Sequence, residues 1–133
     1  VPVLNWENPL VEKTLPLGLT EEALKQRRWQ ANFTELESVT EFVILYGSIL
    51  HSSLQANDID IASVASKKNF LKIQKVLDKI QKTLPKKIHA INFTESEFKV
   101  ELKRNKAFID AVKKGVILSG QENFVRFMRG MTT

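Results

Sequence analysis

The chain has 133 residues, 43% of them hydrophobic and 26% charged, which is ample for a packed core without disulfides or a structural metal, and no apolar run approaches the eighteen or so residues of a membrane span. Cysteine is absent, which excludes disulfides, thiolate metal centres and thiol nucleophiles. The net charge of +5 is unevenly placed, with four Lys and Arg against nine acids in residues 1–66 and sixteen against six in residues 67–133. Such a basic half can attract nucleic acid by counterion release, although a lysine-covered helix face is more often a solvated surface.

Residues 1–19 hold three of the four prolines and show no periodicity, so an extended arm is expected there and one folded unit over residues 20–133. The opening stretch VPVLNWENPLVEK lacks the basic start and apolar core of a secretory signal, so a cytoplasmic location is expected. Thr20 followed by Glu21 and Glu22 has the form of an N-cap with acids at the positive end of a helix, predicting a helix over 21–37. Glu41 to Tyr46 is a short apolar run ending at Gly47 and suits a buried strand, and Asp58 to Val64 is a second candidate strand.

Phe70, Ile73, Val76, Leu77, Ile80 and Leu84 recur at helical spacing between residues 69 and 84, and Pro85 is expected to stop that helix. Lys87 to Phe93 is a third candidate strand, and Thr94 with Glu97 forms a capping-box signature for the helix that follows. A short helix over 108–114 ended by Gly115, an extended segment over 116–119 and a terminal amphipathic helix over 122–129 complete the chain. This order predicts an α/β domain with its helices on one side of the sheet.

Asp58 and Asp60 flank one isoleucine, so alternation in a strand projects both carboxylates from one face. Hard oxygen ligands of this kind suit Mg2+ or Mn2+ carrying a nucleotide, with phosphate oxygens and water completing the shell. Upstream, Gly47 and Ser48 close an apolar strand, with nine residues between Ser48 and Asp58. Glycine lets the backbone approach phosphate closely, and a serine hydroxyl with neighbouring N–H groups can hold phosphate oxygens. Taken alone, Asp-x-Asp is commonly an exposed strand end and Gly-Ser a simple turn; the spaced combination is the stronger signal.

An apolar strand, Gly-Ser, a gap of about ten residues and Asp-Ile-Asp-Ile, here YGSILHSSLQANDIDIASV, resembles the signature of the polymerase-beta-like nucleotidyltransferase superfamily, especially its minimal prokaryotic members. INFTESEF and KRNKAFIDAVKKGVILSG resemble the downstream part of small nucleotidyltransferase-like proteins, so the likeness spans residues 41–120. The resemblance implies a mixed β-sheet flanked by helices. It also implies metal-dependent transfer of a nucleoside monophosphate from an NTP to a hydroxyl-bearing acceptor, with release of pyrophosphate. Gly47 and Ser48 would bind phosphate, and Asp58 and Asp60 would bind the metals.

Two features depart from that pattern. Catalytic members supply a third carboxylate from a neighbouring strand, and Lys87 to Phe93 contains no acid; His89 and Asn92 are its polar residues besides Lys87, with Glu95 and Glu97 just beyond. His89 can in principle accept a proton, yet a lone strand histidine is more often packed or hydrogen-bonded. After Ser48 the chain runs Ile49-Leu50-His51-Ser52-Ser53 in place of a small-basic-glycine loop, with His51 expected at the surface. Lys67 and Lys68 are candidates for phosphate contact or for a solvated helix start. The alternative function is therefore a catalytically impaired fold that binds a nucleotide, a nucleic acid or a protein. Phe124, Phe127 and Met128 offer a stripe for a helical protein partner, although burial against the chain's own sheet is the commoner fate of such a stripe; a homo-oligomer is a separate option with no residues to mark it.

Overall fold

The strand Phe42–Tyr46 (β1) is apolar at every position because both of its faces are covered. Phe42 and Ile44 enter one core while Val43 and Leu45 enter another. The computed structural model describes residues 27–51 and 55–131; the expected N-terminal arm, the Thr20 cap and the start of the first helix lie outside the described residues, as do Ser52 and Ser53.

Four strands form one mixed sheet: β1, Asp58–Val64 (β2), Lys87–Phe93 (β3) and Val116–Ser119 (β4), in the order β3-β2-β1-β4. β1 lies antiparallel to β2, pairing Phe42 with Val64 and Tyr46 with Asp60, and also antiparallel to β4, with a register shift between Val43 and Ile44. β2 and β3 are parallel, with Asp58 beside Lys87, Asp60 beside His89 and Ser63 beside Asn92. Parallel neighbours need a crossover, which runs through the helix Phe70–Gln81 (α2).

Helices cover both faces of the sheet, which corrects the expectation that they lie on one side. Arg27–Asn32 (α1) and α2 cover one face, where Trp29, Ile73, Leu77 and Ile80 pack on Val43, Leu45, Ile59 and Ile61. Glu95–Arg104 (α3), Lys106–Lys113 (α4) and Gln121–Met131 (α5) cover the other, where Phe98, Phe108 and Phe124 pack on Phe42, Ile44 and Val64. Phe98 is the hub of this second core. It meets Phe42 edge-on at 5.6 Å and Phe108 at 5.7 Å between ring centroids, contacts worth about 0.5–1.5 kcal/mol each beyond area burial. Phe124 and Phe127 are buried here and Met128 is half-buried, so the stripe considered for a partner is spent on the chain's own core.

Local chemistry sets the boundaries. The helix expected over 21–37 is interrupted, with α1 ending at Asn32 and a separate 3-10 turn over Thr34–Leu36. α2 stops at Gln81 rather than Leu84: the last turn tightens, with the Thr83 N–H donating to the Ile80 carbonyl at 2.9 Å, and Pro85 disfavours helical backbone at Leu84. Gln81 then ties the turn together, its Nε2 donating to the Lys86 carbonyl at 2.9 Å and its Oε1 accepting the Ile88 N–H at 2.8 Å. The capping box is formed at α3: Thr94 Oγ1 accepts the Glu97 N–H at 3.2 Å and Glu97 Oε1 accepts the Thr94 N–H at 2.9 Å. α4 starts two residues earlier than expected because the Asn105 side chain caps it, accepting the Phe108 N–H at 3.1 Å. No helix among the described residues is long and apolar enough to cross a membrane.

Candidate functional site

Ile59 and Ile61 are fully buried against α1 and α2, and that fixes the other alternating set of β2. Asp58 and Asp60 therefore project together from the opposite face, the one that carries Ala62 and Val64 into the phenylalanine core. Both are partly exposed, because the sheet outruns its helical cover at this end. Tyr46 stands beside Asp60 on β1, its ring edge-on to Phe108 at 6.1 Å. Burial and the Asp60 charge push the Tyr46 phenol above its usual range.

Gly47 follows with φ of +86°, a conformation that L side chains rarely adopt. A Cβ there would collide with Asp60 Oδ2, so the absence of a side chain is what lets the carboxylate lie over the chain as it leaves β1. Ser48 is exposed and heads the 3-10 turn Ser48–Leu50, whose closing bond runs from the Leu50 N–H to the Gly47 carbonyl at 3.2 Å. The structure thus brings Gly47, Ser48 and Asp60 to one end of the sheet, with Asp58 two residues along the same strand face. His51 is exposed beyond the turn, as expected of a loop residue.

The neighbouring strand supplies His89, a lone strand histidine of the kind more often packed or hydrogen-bonded. In the parallel register His89 lies beside Asp60 and on the same face, and its Nε2 is 3.2 Å from Asp58 Oδ1. Both side chains are about half exposed, at 48% and 49%, so this is a solvent-facing contact and not a core histidine. Asn92 is three positions on and faces the other way, its Oδ1 accepting the Ser63 hydroxyl at 2.7 Å. Glu95 and Glu97 follow the C-terminal end of β3, and Lys67 and Lys68 follow that of β2, so all four belong to the far end of the sheet. A seven-residue strand spans roughly 20 Å, which removes these lysines from the phosphate-contact role considered for them and these glutamates from the carboxylate position. Lys87 does lie at the near end, beside Asp58, and Lys86 Nζ donates to the Ala56 carbonyl.

Burial raises the Asp60 carboxyl above its usual range; nearby His89 works against that shift and the Asp58 charge adds to it. Two carboxylates that repel each other on one open face are relieved by a cation. Among the described residues no three His, Asp or Glu side chains enclose a single point, so this is not a closed protein cage. Two carboxylates on an accessible face instead match what a magnesium–nucleotide takes from protein, the phosphates and water filling the remaining positions. The residues present fit such a group.

A separate hollow of about 340 Å³ lies at the far end of the sheet, lined by Glu41, Glu95, Lys99, Asn123 and Arg126 among others. Burial, then the neighbouring Glu95, hold the Glu41 carboxyl above its usual range.

No protein-family model and no curated protein sequence matches the chain. Among solved structures it is similar to a toxin–antitoxin crystallised with AMP-PNP, at 16% identity and a TM-score of 0.49, covering 77% of this chain and 82% of that one. It is also similar to a mutant of the toxin–antitoxin MntA–HpeT, at 14% identity and a TM-score of 0.47, covering 80% of this chain and 81% of that one.

Proposed function

We propose that the protein binds an NTP with a divalent cation at the Gly47–Asp60 end of the sheet, and transfers the nucleoside monophosphate to a hydroxyl-bearing acceptor. The observation that carries this reading is steric and electrostatic together. Asp58 and Asp60 share one open face, and the Asp60 carboxylate lies against a Gly47 that has no room for a side chain. Gly47 and Ser48 would hold the outer phosphates through backbone N–H groups and the serine hydroxyl. Asp58 and Asp60 would hold Mg2+ or Mn2+, which when bound neutralises charge on the reacting and leaving oxygens. The acceptor hydroxyl gives up its proton to solvent, and its oxygen forms the new bond to the α-phosphorus as the bond to the departing pyrophosphate breaks.

The test is calorimetric titration of ATP and GTP with Mg2+ or Mn2+ into the wild type and Asp58→Ala/Asp60→Ala. Metal-dependent binding in the wild type and its loss in the variant support the reading; absence of metal-dependent binding in the wild type overturns it.

A second reading, nucleotide binding without turnover, is favoured by one specific observation: β3 places the imidazole of His89 beside Asp60 and no carboxylate faces the pair from that strand. Incubation with α-labelled NTP and cell extract separates the two. Asp58-dependent label on a protein, on RNA or on a second copy of the chain shows transfer and identifies the acceptor class, while nucleotide binding with no label transferred favours the second reading.

A further inference from the structure

The contact between His89 and Asp58 is hard to explain as a stabilising ion pair. Both groups are about half exposed, and such surface contacts contribute little to folding. Its geometry has another use. The 3.2 Å between His89 Nε2 and Asp58 Oδ1 is close to the roughly 3.0 Å that separates two neighbouring ligands at right angles on an octahedral ion with bonds of about 2.1 Å. The histidine also comes from the parallel strand next to the aspartate pair, and on the same face. Asp60 Oδ2 meanwhile lies toward Gly47, so Asp58 and His89 present an adjoining oxygen–nitrogen pair beside it.

We propose that Asp58 and His89 together ligate one divalent cation, and that the imidazole shifts the site's preference from Mg2+ toward a first-row transition ion such as Mn2+. This rests on the metal–nucleotide reading of the same site and specifies its metal selectivity. The chemistry is that of ligand hardness. Magnesium is held by oxygen and gives up water reluctantly, whereas imidazole nitrogen is a good ligand for first-row transition ions, of which manganese is the one that also suits carboxylate and water. The neutral imidazole offers its Nε2 lone pair to the ion in place of the contact now made with Asp58.

The experiment uses the full chain labelled with 15N-histidine, Mn2+ and a non-hydrolysable ATP analogue, and reads nitrogen couplings to the bound manganese by pulsed electron paramagnetic resonance. A 15N coupling in the wild type that disappears in His89→Gln supports the proposal; the chain's other histidine, His51, is retained in that variant and serves as the internal control. His89→Gln is also expected to weaken Mn2+ binding roughly tenfold while changing Mg2+ binding less, and His89→Asp to raise the Mg2+-to-Mn2+ affinity ratio by a similar factor. Manganese bound in an Asp58-dependent way with no 15N coupling overturns the histidine ligand and leaves the nucleotide site standing. No Asp58-dependent manganese binding, with or without the nucleotide analogue, overturns both. His89 is exposed on an edge strand, so its variants are expected to fold, which unchanged thermal unfolding of the metal-free proteins confirms.

Discussion

The Asp60 carboxylate occupies the space that a Cβ on Gly47 would take, so the two ends of the Gly-Ser to Asp-x-Asp spacing touch in the folded chain. Gly47→Ala must therefore bear both a clash and a backbone at φ of +86°. The expected cost is roughly 1–3 kcal/mol in urea unfolding. Removing the carboxylate as well, in Gly47→Ala/Asp60→Ala, is expected to return about 1 kcal/mol as a coupling between the two positions. Strictly additive single and double variants would show that the carboxylate is not what Gly47 makes room for.

The Asp60 carboxyl also predicts a pH dependence. Burial holds its folded-state pKa above the ordinary 3.8, so the native state binds more protons than the unfolded chain within that window. Stability from this group therefore falls as pH rises through the raised value. Asp60→Asn is expected to flatten that part of the profile and to be slightly more stable than the wild type near neutrality, when urea midpoints are compared between about pH 3.5 and 7. Saturating Mg2+ and ATP should stabilise only the wild type at neutral pH, by about 2.7 kcal/mol at a hundredfold excess over Kd.

Thr94→Ala removes the cap of α3 and is expected to cost about 1 kcal/mol, whereas Thr94→Ser retains most of it. Hydrogen bonds from the Thr94 backbone N–H and then its side chain hold the Glu97 carboxyl below its usual range. Its contribution is present above the ordinary carboxylate range and is lost as pH falls through the folded value. The difference between Thr94→Ala and wild type should therefore shrink in acid, read from urea midpoints.

Phe98→Ala is expected to cost about 3–5 kcal/mol, because the ring is fully buried and meets two strands and a helix through Phe42, Phe93 and Phe108. Leu71 is 77% exposed, and Leu71→Ala should stay within about 0.5 kcal/mol. Thermal unfolding of the two variants checks the contrast.

Much of this architecture is visible in local sequence. The bounds of DIDIASV and KIHAINF coincide with β2 and β3, and the Thr94–Glu97 box forms as its spacing implies. The expectation of helices on one side fails at β1, where FVIL offers apolar side chains to both faces; period alone does not say which helix goes to which face. The positions of Gly47, Ser48, Asp58 and Asp60 follow from a strand, a turn and alternation. That of His89 does not: it depends on β3 lying parallel to β2 in one register, a pairing made across a helix and invisible in spacing. The same strand direction carries Glu97 away from the aspartates, although it is only eight residues from His89 in the chain.

Among the described residues β3 pairs on one side only, at the margin of the sheet, and such a strand is free to slip unless something indexes it. The Ser63 hydroxyl, buried in β2 and bonded to Asn92, is that index. A shift of one residue would break this bond and turn His89 to the opposite face, presenting Ile88 or Ala90 to the aspartates instead. The identity of the atom that meets Asp58 is thus tied to a hydrogen bond three residues farther along the strand, between a serine and an asparagine on the opposite face.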